Sequence, residues 1–339
     1  MSVTPGGSAA ATGSRWEVEE EAMVEQITVP GSQARLLKSR LRLASRLSVV
    51  RKRLPGVEGA PVVLVHGFAQ NRYTWHSSAR SMSAWLASQG LDVYVLELRG
   101  HGNSRASGAP ERFADYVEDA AELAEAIGQP AFWVGHSLGG SVAYALATRS
   151  PVRGVIGIGA VYRFGQHNRV VNWLTRASHL ARARGLLGGL SVRTRLAGQV
   201  LGRLYGISDI AGYAFPVSGW APGSLEPELL AERLERGFDW TSLHVWLDMS
   251  RWAHDGGFDY APEWAHTDVP LLVITGDLDH LMPPSDARAA FTESGSRDKQ
   301  LLELEPWSTG THWGHLDLVS GKQAPEHVWA PVSAWMGLR

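Results

Sequence analysis

The feature that most constrains the fold is a recurrence along the chain: short apolar runs, each closed by a glycine or polar turn, alternate with segments of helical spacing. The runs occupy residues 61–65 (PVVLV), 91–96 (LDVYVL), 131–134 (AFWV), 152–158 (VRGVIGI), 269–275 (VPLLVIT) and 300–304. Runs this short that do not alternate with polar residues are buried on both faces, as in a parallel sheet. Between them, residues 81–88 and 112–127 carry apolar side chains three and four apart, the helical period. The expected fold class is therefore α/β, a doubly wound, mostly parallel sheet with helices on both faces. Ligands of such sheets sit beyond the carboxyl ends of the strands.

The alternation stops over residues 161–265, which hold 14 of the 30 aromatic residues and no run resembling a buried strand. This stretch reads as an inserted helical cap. In its first helix Val170, Trp173, Leu174, Ala177, Leu180 and Ala181 are expected to line the buried face, with Arg169, Asn172, Arg176, His179 and Arg182 opposite. The core is then 15–160 and 266–339, and the small, glycine-rich residues 1–14 read as a disordered tail.

Composition excludes several function classes. Charged residues are 19% and apolar residues 44% of the 339, which suits a packed domain and not a disordered or coiled-coil chain. A net charge of −2 provides no global field for a polyanion, so nucleic acid is not an expected partner. The chain has no cysteine, hence no disulfide, thiolate metal site or thiol nucleophile. No apolar stretch approaches the roughly 18 residues of a membrane span, nor does the start read as a secretion signal, so a cytoplasmic location is expected. Residues 35–53 and 163–203 each hold 8 basic residues and no acid. Such runs are solvated faces first, with weak contact to an anionic membrane surface as the functional alternative.

The chemistry-bearing residues fall after the strands. The run 131–134 leads into Gly135-His136-Ser137-Leu138-Gly139-Gly140 and then a helical stretch. A serine forced into a strand-to-helix turn needs small neighbours and presents its hydroxyl at a helix N-terminus, where developing negative charge is favoured. Serine needs a base, and the base an orienting acid, in the chain order Ser, Asp or Glu, His. Residues 152–208 contain no Asp or Glu, so the acid comes from Gly276-Asp277-Leu278-Asp279 after the next strand. Asp279 is favoured, because Asp277 abuts the strand end; Asp277 remains the alternative. His312 and His315 in the loop after the last strand are the candidate bases, and spacing alone does not choose between them. For a tetrahedral oxyanion, the backbone N–H of Phe68, after His66-Gly67, and that of Leu138 are the expected donors. Carboxylates and imidazoles at Asp277, Asp279, His280, His312 and His315 also admit a metal site, but that would leave the serine turn unexplained.

These motifs resemble the α/β-hydrolase family: HGF after one strand, RGHGNS after the next, GHSLGG at the turn, GDLDHLMP, and GHLD near the end, together spanning residues 55–339. The resemblance implies Ser137 as nucleophile, Asp279 as acid and His315 as base. Epoxide hydrolases and haloalkane dehalogenases of this fold place Asp at the turn, and the related polyester synthases Cys, so Ser137 argues against all three. The implied activity is serine-dependent hydrolysis of carboxylic esters with apolar acyl or alkyl groups, a small-molecule substrate and no cofactor. An acyltransferase would use the same three residues, and a noncatalytic ligand-binding protein the same fold.

Overall fold

The computed structural model describes residues 15–183, 191–192, 219–239, 241–255 and 257–339. The expected tail at 1–14 and part of the expected cap lie outside these residues. Nine strands form one sheet: β1 (Trp16–Val29), β2 (Ser32–Leu43), β3 (Ser48–Arg53), β4 (Pro61–Val65), β5 (Asp92–Glu97), β6 (Phe132–His136), β7 (Gly154–Ile158), β8 (Leu271–Gly276) and β9 (Lys299–Leu304). Their order is β1-β2-β3-β5-β4-β6-β7-β8-β9. From β5 to β9 every neighbour is parallel, whereas β1, β2, β3 and β5 are joined antiparallel.

The six apolar runs are the six parallel strands, with ends shifted by one or two residues. Strict alternation sends their side chains to opposite faces. Val63, Val65, Tyr94, Leu96 and Trp133 pack on one side with helices α2 (Ala114–Ile127) and α3 (Leu138–Ala147). Val62, Leu64, Val93, Val95 and Val134 pack on the other with α1 (Met82–Ser88) and the last helix, Ala330–Gly337. Ser81 caps α1 by accepting the Ala84 N–H at 3.2 Å.

The three antiparallel strands escape a search for apolar runs because their charge is paired across strands. In the β1–β2 ladder Glu20 stands opposite Arg40, and the side chains meet at 2.6 Å; Glu19 and Arg42 meet at 2.7 Å. Arg40 and Arg42 of the basic run at 35–53 are thus cross-strand partners of the acidic β1.

Between β7 and β8 the described residues form α4 (Arg169–Ala183), α5 (Pro227–Arg236), α6 (Leu243–Asp255) and a single turn of helix at Ala261–Trp264, besides a two-residue ladder of Ser191–Val192 with Thr241–Ser242. Val245, Met249 and Trp252 of α6 belong to the same core as Val142 and Tyr144 of α3, so this segment shares the main core. The face expected to be buried on α4 is corrected. Val171 and Thr175 are buried and Ser178 is half-buried, whereas Trp173, Leu174, Ala177 and Leu180 face outward. The inward side is the one that meets the core and α6: Val171 packs into the main core, and Trp246 Nε1 donates to Ser178 Oγ at 2.9 Å. Among the described residues no helix is long and apolar enough to cross a membrane.

One buried charge in the sheet yields a test. Lys52 on β3 is 2% exposed, and its Nζ donates to Ser83 Oγ at 2.8 Å. Burial, with Lys38 and Arg72 nearby, lowers the amine from 10.5 to about 7. The unfolded chain therefore binds the extra proton between these values, and stability rises with pH across that window. Urea unfolding at neutral pH and again near the upper limit should show a gain on the order of a few kcal/mol in the wild type that Lys52→Met lacks. Equal gains in both proteins would refute this account.

Candidate active site

The turn between β6 and α3 is held by contacts that exclude side chains. Ser137 sits at φ 56°, ψ −125°, a conformation that a non-glycine residue adopts only under constraint from its surroundings. The constraint is visible: the Ser137 N–H donates to the Ile158 carbonyl at 3.1 Å, and its own carbonyl accepts from Gly140 and Val161, both at 3.0 Å. A Cβ on Gly135 would lie 2.2 Å from the Gly139 oxygen, and one on Gly139 would lie 2.2 Å from the Val65 oxygen. The serine is thereby pressed between the carboxyl ends of β4 and β7.

Asp279 lies in the turn after β8. Its Oδ1 accepts the Met282 N–H at 2.7 Å, and its Oδ2 is 2.7 Å from Nδ1 of His315. Both side chains are almost wholly buried. A carboxylate at Nδ1 selects the tautomer with its proton there and leaves Nε2 free to accept one. His315 is also fixed through its main chain, whose carbonyl accepts a bond from His136 Nε2 at 3.0 Å. Burial, and then the neighbouring His315, hold His136 well below the ordinary histidine range, so it is a neutral strut. Ser137 and His315 line one cavity of about 380 Å³.

The structure brings Ser137, Asp279 and His315 to the same end of the sheet and sets Asp277 and His312 apart. Asp277 accepts the Trp313 N–H at 2.8 Å and pairs with Nδ1 of His312, whose side chain is 53% exposed. His312 does not line the cavity. The described residues contain no group of three or more His, Asp or Glu side chains arranged to hold a metal ion.

Phe68 reaches the cavity wall, and Leu138 opens α3, where its N–H has no intrahelical acceptor. The HG pair has a structural explanation. His66 is held below the ordinary range, at about 3, chiefly by burial. Its Nε2 accepts the Leu98 N–H at 3.1 Å, and its Nδ1 donates to the Gly67 carbonyl at 2.9 Å, tying the loop after β4 to the end of β5.

Two residues with a part in this geometry went unnoticed in the sequence. His136 sits inside the serine motif but contacts a residue 179 positions later, so only the fold reveals its role. Gly159 has φ 51°, and a Cβ there would be 3.0 Å from Asp279 Oδ2 and 3.2 Å from His315 Nδ1. A glycine just after an apolar strand was the available signal.

A model described as the alpha/beta hydrolase family matches residues 62–323. An (E)-2-((N-methylformamido)methylene)succinate hydrolase of Acinetobacter baylyi is 25% identical over 223 residues, 66% of this chain and 73% of that protein. A monoacylglycerol lipase of Mycolicibacterium smegmatis is 25% identical over 260 residues, 71% of this chain and 77% of that one. The crystal structure of Paleococcus ferrophilus monoacylglycerol lipase superimposes with a TM-score of 0.60 at 19% identity, covering 86% of this chain and 98% of the other.

The packing at Gly159 is testable without a substrate. Gly159→Ala forces a methyl group against both members of the Asp279–His315 pair, and displacements of about 1 Å at such pairs cost on the order of 10²-fold in rate. Labelling of Ser137 by a fluorophosphonate, followed by intact mass against time, should slow by about that factor. Labelling at the wild-type rate would show that the pair tolerates the methyl group.

Proposed function

The chain belongs to the alpha/beta hydrolase family, and we propose that it is a serine hydrolase cleaving carboxylic esters with apolar acyl or alkyl groups through an acyl-enzyme. The observation that carries this reading is that Ser137 and His315, the latter paired with the buried Asp279, line one largely apolar cavity.

In this reading His315 Nε2 takes the Ser137 proton as Oγ bonds to the ester carbonyl carbon. The oxygen becomes an oxyanion facing the N–H groups of Phe68 and Leu138, donors of a kind typically worth about 2.7–4 kcal/mol each. The carbon–oxygen bond to the alcohol then breaks, and His315 returns its proton to the departing oxygen. Water, deprotonated by the same imidazole, attacks the acyl-serine and releases the acid. Asp279 keeps the imidazole oriented and stabilises its transient charge. Each step uses side chains and amides of this chain.

The cavity walls support the substrate class. Apart from Ser137, His315 and Gln70, they consist mainly of apolar or aromatic residues, including Phe164, Trp246 and Met249 beside Leu281 and Leu316. A volume of about 380 Å³ is within the usual range for small-molecule sites. We extend the reading to the segment between β7 and β8, expected at 161–265, as a cap over this cavity: Leu174 of α4 and Leu234 of α5 both line it.

The outward face of α4 supports contact with the surface of a lipid aggregate. Trp173 is 66% exposed and Leu180 52%. The helix carries Arg169 and Arg176 and no acidic residue, the combination that favours an anionic interface. Leu174 joins this face to the cavity.

Three outcomes follow. Ser137→Ala should lower kcat for ester hydrolysis roughly 10⁴-fold or more, and Asp279→Asn by about 10⁴, whereas His312→Ala should stay within a few-fold of wild type. On nitrophenyl esters from acetate to laurate, kcat/KM should climb with acyl length until the cavity is filled; activity confined to the smallest polar esters would overturn the substrate class. Sedimentation with anionic vesicles at low salt should retain the wild type and release Trp173→Glu, and equal retention would refute the interfacial role of α4.

A further inference from the structure

Arg233 on α5 is 2% exposed and has no carboxylate partner among the described residues. Burial lowers its guanidinium to about 9, so it stays a cation at neutral pH. Its Nη1 donates to the Tyr73 carbonyl, its Nη2 donates to Gln70 Oε1 at 3.1 Å, and its Nε has no partner. A buried cation without a counter-charge is costly, and a fold that keeps one has placed positive potential where little water screens it.

That potential lies behind Gln70. The Gln70 oxygen also accepts from Thr74 Oγ1 at 2.8 Å. A guanidinium only donates, so the carboxamide orientation is unambiguous: its oxygen is turned toward α5 and its NH2 away from it. Gln70 is 4% exposed and lines the cavity with Ser137. A Cβ on Gly67 would lie 2.9 Å from Ser137 Cβ and 3.4 Å from the Gln70 carboxamide carbon, so nucleophile and carboxamide flank one α-carbon. The next peptide from that carbon carries the Phe68 N–H. None of the described residues takes up the Gln70 NH2.

We propose that Gln70 Nε2 donates a hydrogen bond to the ester carbonyl oxygen as it becomes an oxyanion, and that Arg233 is the positioning residue which orients this carboxamide and keeps positive charge behind it. A cation on the amide oxygen polarises the amide and strengthens its N–H as a donor. A dry, fixed donor of this kind acts on charge that develops in the transition state. The inference rests on the reading of Ser137 as the nucleophile toward esters. It also gives α5, an element of the segment between β7 and β8, a share in the chemistry beyond walling the cavity.

The test compares Gln70→Leu, Gln70→Glu, Arg233→Met and the Gln70→Leu/Arg233→Met double variant in steady-state hydrolysis of a nitrophenyl ester, with Tm and the Kd of an alkyl boronic acid measured alongside. Gln70→Leu should lower kcat at least tenfold with KM nearly unchanged and weaken boronate binding in proportion. Arg233→Met should lower kcat by a similar factor, and the double variant should fall little further than the worse single one. Gln70→Glu is the decisive variant, because it gives Arg233 its missing carboxylate while removing the donor: Tm should hold or rise, yet kcat should fall further than in Gln70→Leu. Wild-type kcat in Gln70→Leu, a change in KM alone, or activity that simply follows Tm across the set would overturn the proposal. Ser137→Ala separates the two readings. If it is inactive while Gln70→Leu is fully active, only the inference on Gln70 and Arg233 falls; if Ser137→Ala stays active, the esterase reading falls and takes this inference with it.

Discussion

The site depends on a steric constraint in the backbone at Ser137. A left-handed residue between strand and helix is unfavourable alone, and here it is held by three main-chain hydrogen bonds and by glycines whose α-carbons touch neighbouring carbonyls. The strand order requires this crowding: β6 lies between β4 and β7, so the turn leaving β6 is wedged between the loops leaving its neighbours. One of these loops bears Phe68, and the other bears Gly159, which packs against the Asp279–His315 pair. The tight turn therefore gathers the rest of the site around the hydroxyl.

Much of this was legible in the sequence because the governing physics is local. Strands buried on both faces must be continuous apolar runs, as in the five parallel strands β4 to β8, whereas the edge strand β9 is only partly buried and keeps Gln300 and Glu303. The serine turn announces itself because its glycines are required by contacts within a few residues. The chain order of Ser137, Asp279 and His315 follows from the strand succession, and with no acid between 152 and 208 the carboxylate comes from the loop after β8.

The remainder was hidden because it is set by contacts far apart in the chain. The β1–β2 hairpin carries no apolar run; its charges are matched by Glu19 and Glu20 meeting Arg42 and Arg40, partners about twenty residues away. On α4 the helical period is legible and the inward face is not, since the fold encloses Val171 and Thr175 and leaves Trp173 and Leu180 outside. Spacing alone does not separate His315 from His312, because each pairs with a carboxylate from the loop after β8, one at the cavity and one near the surface. Nor does an arginine such as Arg233 betray burial in a sequence, being one of many basic residues until the fold encloses it.

That second, outer pair has a mechanical consequence. The loops after β8 and β9 are laced at successive levels: Asp277 holds His312 and the Trp313 amide, the Leu278 N–H bonds to the Trp313 carbonyl at 2.9 Å, and Asp279 holds His315. A zipper of this kind aligns its innermost rung as the chain folds, before any ligand arrives. The imidazole is thus ready-made, and the conformational freedom surrendered to orient it is lost once, at folding, instead of each time the cavity fills.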